Sequence, residues 1–278
     1  MAETEALDVG QAGRPQRLAG KRAIVTGGAS GFGLGIAARF AAEGVSVLIA
    51  DVNGAAADES AQRIAEQTGA RVEGVETDVS SAFSVEALRE KAEAMLGGLD
   101  ILVNNAGVGH TPRPMEALDE ETFDQIFAVN AKSVYLTAQA FVPALKASAA
   151  SRAAEGAGPG GAAILNVAST GGVSPRPGLT WYNASKGWMI TATRSMAVEL
   201  APSGVRVNAI NPVAGETPLL KTFMGDDTEE IRAKFLSTIP LGRFSTPADM
   251  AAAAAYLCSE DASMVTGVAM EVDGGRCV

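Results

Sequence analysis

The chain has 278 residues, with 22 Lys+Arg against 32 Asp+Glu and one histidine, which gives a formal net charge of −10. That acidity disfavours nucleic-acid polymers and anionic membrane surfaces as partners, because both attract basic patches. Two cysteines and one histidine exclude a disulfide framework and a zinc cluster, and no metal ligand is predicted. No apolar run suits a membrane span or a signal-peptide core, so we expect a cytoplasmic protein without a membrane partner.

The apolar pattern begins after an arm. Residues 1–18 have few large apolar side chains and are expected to form a mobile N-terminal arm, whereas residues 19–278 form the predicted domain. Short β-branched runs that end at turn residues predict strands, and the longer periodic segments between them predict helices. Strands are expected at 22–27, 45–51, 71–76, 100–104, 162–168, 205–210 and 268–272, and helices near 33–43, 54–68, 81–96, 119–149, 181–202 and 247–259.

Seven strands that alternate with helices predict an α/β fold, a single doubly wound Rossmann domain. Its expected core is a seven-stranded parallel sheet with helices on both faces, because central strands such as the sequence AAILNVA are apolar on both sides. The low-complexity segment 149–161 is expected to be a flexible surface loop before the fifth strand.

A glycine-rich turn, TGGASGFG at 26–33, joins the first strand to the first helix. Such glycines permit a tight turn and close approach to phosphate, and the N–H groups of the helix start favour a pyrophosphate. Asp51 ends the second strand, 20 positions after Gly31, where its carboxylate can accept hydrogen bonds from an adenosine ribose. A 2′-phosphate would meet that charge, and neither Ser30 nor Val52 is basic, so we predict NAD(H) over NADP(H). The alternative for Asp51 is a strand-end turn or helix cap.

This turn resembles the TGxxxGxG turn of the short-chain dehydrogenase/reductase family, and four further motifs follow in the family's order. Asn104-Asn105-Ala106-Gly107 matches the NNAG motif, and Asn130 stands in the predicted helix in FAVNAKS. Ser169 ends the fifth strand, and Tyr182 to Lys186 reads YxxxK, with the tyrosine 13 residues after the serine. The resemblance runs from about Leu18 to the C-terminus and indicates the compact single-domain branch, which includes 3-oxoacyl reductases.

The YxxxK motif suits proton transfer. Reduction of a ketone needs a proton donor at the developing alkoxide, and a tyrosine with a pKa of about 10 is a reluctant base in the reverse direction. Lys186 lies one helical turn from Tyr182, so its charge favours tyrosinate. The resemblance implies that Lys186 also binds the nicotinamide ribose, that Ser169 holds the substrate oxygen, and that Asn130 anchors a water in a proton relay. Taken singly, these four residues have ordinary packing, capping or solvated interpretations.

The remaining cofactor contacts also rest on the resemblance. Asp78 and Val79 match an adenine-contacting pair, and Pro212 matches the start of a segment that meets the nicotinamide carboxamide. The chain departs from the family there, since Val213 occupies the usual glycine position, although Thr217 preserves a threonine. The predicted cofactor residues are Gly27, Ser30, Gly31, Phe32, Gly33, Asp51, Val52, Asp78, Val79, Asn105, Ala106, Gly107, Tyr182, Lys186, Pro212, Val213 and Thr217.

A substrate lid is expected at about 214–240, between the last two strands. Its apolar residues indicate either a substrate with hydrophobic bulk or ordinary packing of a surface helix, and the sequence does not decide between them. Those residues are Leu219, Leu220, Phe223 and Met224. Four further residues are not assigned as sites. His110 is interpreted either as a residue of the pocket mouth or as a solvated loop histidine, and Trp181 either as pocket wall or as helix packing. Arg113 and Arg176 are each interpreted either as a ligand of a carboxylate or phosphopantetheine phosphate or, by default, as a surface arginine.

Together these features predict an oxidoreductase that transfers hydride between NAD(H) and a secondary alcohol or ketone, with Tyr182 as general acid/base. The alternatives are a 3-oxoacyl-thioester reductase that uses NAD(P)H and a non-catalytic NAD(H)-sensing protein. An enoyl reductase would usually space tyrosine and lysine by seven rather than four. The resemblance further implies a homodimer or homotetramer that pairs through the helices at 119–149 and 181–202, where Ala184, Ala192 and Ala197 permit close approach.

Overall fold

The structure is a computed structural model that describes residues 16–156, 161–225 and 228–278. In these ranges the strands form one parallel sheet in the order β3-β2-β1-β4-β5-β6-β7. The predicted doubly wound Rossmann fold is confirmed. The strands are β1 (Arg22–Thr26), β2 (Ser46–Asp51), β3 (Val72–Glu76), β4 (Ile101–Asn104), β5 (Ala162–Val167), β6 (Val205–Pro212) and β7 (Ala269–Val272).

Helices connect the strands, and local signals set many of their ends. Asn53 and Ser81 cap the second and third helices through their side-chain oxygens, and Gly44 follows the first helix with φ of 84°. The helices are α1 (Gly31–Ala42), α2 (Gly54–Thr68), α3 (Ala82–Leu96), α4 (Glu120–Phe127), α5 (Ser133–Ala154), α6 (Thr180–Leu200), α7 (Leu219–Met224), α8 (Glu229–Leu236) and α9 (Pro247–Cys258).

The core lies on both faces of the sheet, because alternate strand residues point in opposite directions. In β1, Ala23 and Val25 pack with α1, α2 and α9, whereas Ile24 packs with α3, α5 and α6. Val25 pairs with Ile49 of β2 on one side and with Val103 of β4 on the other. The strand order therefore reverses around β1, and the crevice at this reversal is where doubly wound folds bind ligands.

Two predictions about the chain's path differ from the structure. The predicted loop 149–161 begins too early, because α5 continues to Ala154; Arg152 in its last turn forms an ion pair with buried Asp100 at 2.8 Å. Residues 157–160 of that predicted loop lie outside the described residues. Of the predicted arm, residues 1–15 lie outside the described ranges, and Leu18 is fully buried in the core. The packed part of the chain thus includes Leu18.

The predicted helix 119–149 is interrupted. Between α4 and α5 lies a π-helical turn, Ala128–Lys132, which contains the fully buried Asn130. Such single π turns are uncommon and frequently occur at functional sites, where the wider turn displaces the side chains that follow it. This turn brings Asn130 beneath the carboxyl end of β4.

Candidate active site

One cavity of about 720 Å³ extends across the crevice at the carboxyl ends of the strands. All of the predicted cofactor residues line it except Gly33, and Ser169, Tyr182 and Lys186 line it as well. Asn130 does not line the cavity and lies behind its wall. The structure therefore brings residues from distant parts of the chain to one site.

The glycine-rich turn has the shape that a phosphate cradle needs. Gly27 and Gly31 adopt φ of 60° and 53°, a region that favours glycine. A Cβ on Gly33 would lie 2.3 Å from the Gly27 carbonyl oxygen and 2.4 Å from Asn105 Nδ2, so only glycine fits there. Ser30, the residue before α1, forms no side-chain cap, and α1 begins at the cavity wall. Its first N–H groups are therefore positioned for an anionic ligand.

A hydrogen-bond network joins this turn to the NNAG segment. The Thr26 hydroxyl oxygen accepts from the backbone N–H groups of Asn105 and Ala106, both at 3.1 Å. Asn105 Nδ2 donates to the carbonyl oxygens of Thr26 and Gly27, both at 2.9 Å. Thr26 was not predicted as a site residue, although it is the first residue of the TGGASGFG motif. Its hydroxyl holds the two turns at a fixed separation.

At the far end of the cavity, Asp51 has both structural and binding capacity. Its carboxylate accepts from the backbone N–H groups of Ala29 and Asn53, each at 3.1 Å, as the turn interpretation expects. A carboxylate has about four acceptor sites, so capacity remains for ribose hydroxyls. Thr77, which was not predicted, lines the same end with a buried hydroxyl that has no hydrogen-bond partner among the described residues. The only sequence feature that pointed to this position was the predicted cofactor residue Asp78, which directly follows Thr77.

Tyr182, Ser169 and Lys186 meet at the centre of the cavity. Burial raises the pKa of Tyr182 to about 12, and a hydrogen bond with Ser169 acts in the opposite direction. Burial alone lowers the pKa of Lys186 to about 8. Lys186 Nζ donates to the Val167 carbonyl oxygen at 2.9 Å and lies 6.0 Å from the centroid of the Tyr182 ring. At neutral pH, Tyr182 is thus a protonated phenol, ready to donate.

Asn130 ties the segment after β4 to α6. Its amide exchanges hydrogen bonds of 2.9 Å with the backbone N–H and carbonyl of Val108, and it also donates to Ser185 Oγ at 3.0 Å. A Cβ on Gly107 would lie 3.3 Å from Lys186 Nζ and 3.4 Å from Asn130 Oδ1. Asn130 and Lys186 therefore lie against the same glycine.

The predicted lid region covers the other end. The Phe223 ring lies 4.8 Å from the Tyr182 ring, tilted by 56°. Met224 is buried in a packing cluster and does not line the cavity, as the packing interpretation expects. Leu219, Leu220 and Phe223 do line it, as the substrate interpretation expects. Leu220 meets both interpretations, because it is buried in the same cluster as Met224 and also lines the cavity.

Of the residues left without a role, only Arg176 lines the cavity. His110 is buried rather than solvated, with Nδ1 2.9 Å from the Thr111 carbonyl oxygen, and Trp181 Nε1 donates to the Met115 carbonyl oxygen. Asn183 was not predicted, although it stands inside the YNASK motif. It lines the cavity and donates to the Arg176 carbonyl oxygen at 2.9 Å.

Residues 16–156, 161–225 and 228–278 contain neither a membrane-spanning helix nor a metal-ligand cluster. No helix in these ranges is both long and apolar enough to cross a membrane. Within the same ranges, no group of three or more His, Cys, Asp or Glu side chains is arranged to hold a metal ion.

Comparison with known proteins gives matches over nearly the whole chain. A family model described as enoyl-(acyl carrier protein) reductase matches residues 27–276. The chain is 50% identical over 255 residues to 4-formylbenzenesulfonate dehydrogenase of Comamonas testosteroni, with 91% of this chain and 96% of that protein covered. It is 35% identical over 267 residues to galactitol 2-dehydrogenase of Agrobacterium fabrum, with 94% and 98% covered.

A solved structure is similar to this chain over nearly its whole length. The crystal structure of 3-ketoacyl-(acyl-carrier-protein) reductase from Brucella melitensis, complexed with NADH, has a TM-score of 0.83 and 48% identity to this chain. The match covers 94% of this chain and 100% of the Brucella chain. The likeness therefore includes both ends of the cavity.

Proposed function

This chain belongs to the short-chain dehydrogenase/reductase family, and from that membership we propose an NAD(H)-dependent enzyme that interconverts a secondary alcohol and a ketone, with Tyr182 as general acid/base. The chain is an oxidoreductase of small alcohols and carbonyl compounds that uses NAD(H) or NADP(H). The observation that carries the finer proposal is the meeting of Tyr182, Ser169 and Lys186 in one cavity with the glycine-rich turn.

The proposed roles follow from the protonation of each group. The nicotinamide, when bound, supplies or accepts the hydride. In the reducing direction Tyr182 donates its proton to the developing alkoxide, while Ser169 hydrogen-bonds to the same oxygen. In the oxidising direction Tyr182 must become tyrosinate, and the charge of Lys186 favours that form. The water relay through Asn130 stays a prediction, supported by the approach of its Oδ1 and of Lys186 Nζ to Gly107.

The preference for NAD(H) over NADP(H) rests on Asp51. Its carboxylate lies at the cavity end where an adenosine ribose belongs, and a 2′-phosphate would bring like charges into contact. The neighbouring Ser30 and Val52 provide no compensating cation, and the Brucella relative was crystallised with NADH. Steady-state kinetics with NADH and NADPH test this preference, and a higher kcat/KM with NADPH contradicts it.

The reaction itself is tested by two screens. NAD⁺ reduction is followed across secondary alcohols, and NADH oxidation is followed across ketones, aromatic aldehydes and 3-oxoacyl thioesters. Because the 50% identical relative is named for an aromatic aldehyde that bears a sulfonate, both screens include aromatic sulfonates. The 3-oxoacyl thioesters test the second candidate, a 3-oxoacyl-thioester reductase, which the identity to the Brucella enzyme favours.

On the best substrate, Tyr182→Phe is expected to lower kcat by at least about 10²- to 10⁴-fold, the usual contribution of a general acid. Binding of NADH, measured by fluorescence, is expected to persist, because the phenol oxygen is removed without loss of the ring. Tyr256→Phe, the same change at a half-buried residue of α9 outside the cavity, is the matched control. Near-normal turnover by Tyr182→Phe would refute the proposed role, and the non-catalytic NAD(H)-sensing alternative would then gain support.

We also propose that the protein is a cytoplasmic homodimer or homotetramer whose lid is formed by α7 and α8. Trp188 and Val198 on α6 and Tyr135 on α5 are exposed by 41%, 80% and 54%, which suits an interface on these helices. Ala197 is buried in the subunit core, so it is not available to a partner. Sedimentation as a monomer would contradict the oligomer. The cytoplasm is proposed because it holds the NAD(H) pool and keeps cysteines unpaired, as both are here.

A further inference from the structure

The charged side chains of the cavity are divided between its two ends. Among the described lining residues, Asp51 and Asp78 lie at the end assigned to adenosine, whereas Lys186 and Arg176 lie toward the lid. Lys186 is already engaged by the Val167 carbonyl oxygen and belongs to the proposed proton-transfer group. Arg176 is therefore the cation at the substrate end that the proposed reaction does not use.

The guanidinium of Arg176 is only partly satisfied by the protein. Its Nη2 donates to Thr238 Oγ1 at 3.2 Å, and its Cζ lies 4.5 Å from the centroid of the Phe235 ring. Within the described ranges no carboxylate oxygen lies within 4.0 Å of it. A guanidinium carries five N–H donors in a planar fork, so several remain available to a ligand.

A second guanidinium adds to the positive charge there. The hydrogen bond from Arg276 to Ser174, two residues before Arg176, brings this second cation to the Arg176 segment. Burial and the charge of Arg276 both lower the pKa of Arg176. Arg276 donates to Ser174 Oγ at 3.2 Å, and its buried Nε has no hydrogen-bond partner among the described residues. The carboxylate of Asp273 accepts from the backbone N–H groups of Gly275 and Cys277 instead. Among the described residues neither guanidinium forms an ion pair with a carboxylate, so an anion bound at Arg176 would lie in a region of positive charge.

The backbone of Arg176 is fixed relative to the proposed acid. Asn183, which is 8% exposed and follows Tyr182 in α6, donates to the Arg176 carbonyl oxygen at 2.9 Å. Between the arginine and the tyrosine, the lid contributes the rings of Phe223 and Phe235 to the cavity wall. An apolar body with a charged group at its far end therefore suits this half of the cavity.

We propose that Arg176 binds an anionic group of the substrate, a sulfonate or carboxylate remote from the carbon that exchanges hydride. The substrate class is then a carbonyl compound or alcohol with an apolar, preferably aromatic, body and one negative charge. This inference rests on the proposed function and specifies its substrate. The bidentate geometry of guanidinium matches both kinds of anion.

The test compares two probes that differ in charge and hardly in shape, 4-formylbenzenesulfonate and 4-formylbenzenesulfonamide. The complete enzyme reduces each aldehyde to its alcohol with NADH, and kcat/KM is expected to be higher for the sulfonate than for the sulfonamide. In Arg176→Gln the ratio of these two kcat/KM values is expected to fall by about 10- to 100-fold, the loss expected for a charge-assisted hydrogen bond. Arg176→Lys is expected to retain part of the preference.

Controls separate recognition of the anion from support of the lid. If Arg176 only supports α8 through Phe235 and Thr238, Arg176→Gln lowers kcat/KM for both probes equally, and the proposal is overturned. Arg113→Gln removes an equal charge from a loop residue that does not line the cavity, and its ratio is expected to stay at the wild-type value.

A binding measurement covers the case in which neither aldehyde is turned over. Benzenesulfonate and benzenesulfonamide are titrated into the enzyme–NADH complex, with NADH fluorescence as the readout. Tighter binding of the sulfonate that Arg176→Gln removes supports the proposal, and equal or absent binding overturns it. Failure of the proposed function is distinct, since it appears as absent NADH binding or as no turnover in the broad screens.

The phosphate of a phosphopantetheine thioester is another source of an anion. Acetoacetyl phosphopantetheine and acetoacetyl pantetheine form the corresponding pair of probes. If the preference for the charged probe depends on Arg176 with this pair but is absent with the sulfonate pair, the proposal of a small anionic substrate is overturned.

Discussion

The two ends of the cavity are built in different ways. The dinucleotide end consists of backbone at strand ends, where glycines and the Thr26–Asn105 hydrogen bonds set the shape. The substrate end consists of side chains from α6, α7 and α8, which pack on one another beyond the sheet. Backbone geometry tolerates few residues at each position, whereas side-chain packing has many solutions. The first end therefore suits one invariant ligand, and the second can change its ligand with few substitutions.

The largest expected effect on stability concerns Lys186, at the junction of the two ends. Its pKa falls from 10.5 to about 8 on folding, so between these values the unfolded chain binds more protons and stability rises with pH. Between pH 7 and pH 10, wild type without NAD(H) is expected to gain on the order of 3 kcal/mol of unfolding free energy relative to Lys186→Met. Tyr182, whose pKa is raised to about 12, acts in the opposite direction above its ordinary pKa of 10.0, which is the upper limit of this pH range.

Urea unfolding at pH 7, 8.5 and 10 measures this difference. Lys146→Met, at an exposed position of α5, serves as the control and is expected to leave the pH dependence of wild type unchanged. If the unfolding free energies of wild type and Lys186→Met change in parallel with pH, burial does not lower the pKa of Lys186.

At the dinucleotide end, Gly33→Ala is expected to lower the unfolding free energy by about 1–3 kcal/mol and to weaken NADH binding by about 10- to 100-fold. The added Cβ would lie 2.3 Å from the Gly27 carbonyl oxygen, which must move together with the cradle. Gly187→Ala in α6, where the nearest atom to the added Cβ lies 3.8 Å away, is expected to stabilise the helix slightly. Thermal unfolding and NADH titration measure both variants, and unchanged NADH affinity in Gly33→Ala would show that this end is as adaptable as the other.

At the substrate end, Phe223→Ala is expected to lower kcat/KM by about tenfold, through the loss of an aromatic contact and of apolar surface. The affinity for NADH is expected to remain, because Phe223 packs on Tyr182 and not on the glycine-rich turn. Leu241→Ala, at a side chain that is 72% exposed and outside the cavity, serves as the control for kinetics. If Phe223→Ala lowers the affinity for NADH as much as it lowers kcat/KM, the two ends of the cavity are not independent.

The sequence by itself determined the fold and the local motifs, because these depend on spacing within one element. Alternation of apolar runs predicted the sheet, the four-residue step from Tyr182 to Lys186 placed both on one helical face, and glycines marked the turn before α1. Only the tertiary structure decided which distant groups meet. Three features depend on packing between elements far apart in the chain: the Thr77 hydroxyl without a partner among the described residues, the approach of Asn130 and Lys186 to Gly107, and the hydrogen bond from Arg276 to Ser174. Such packing leaves no period in the sequence, since each side chain is positioned by the neighbours it acquires on folding.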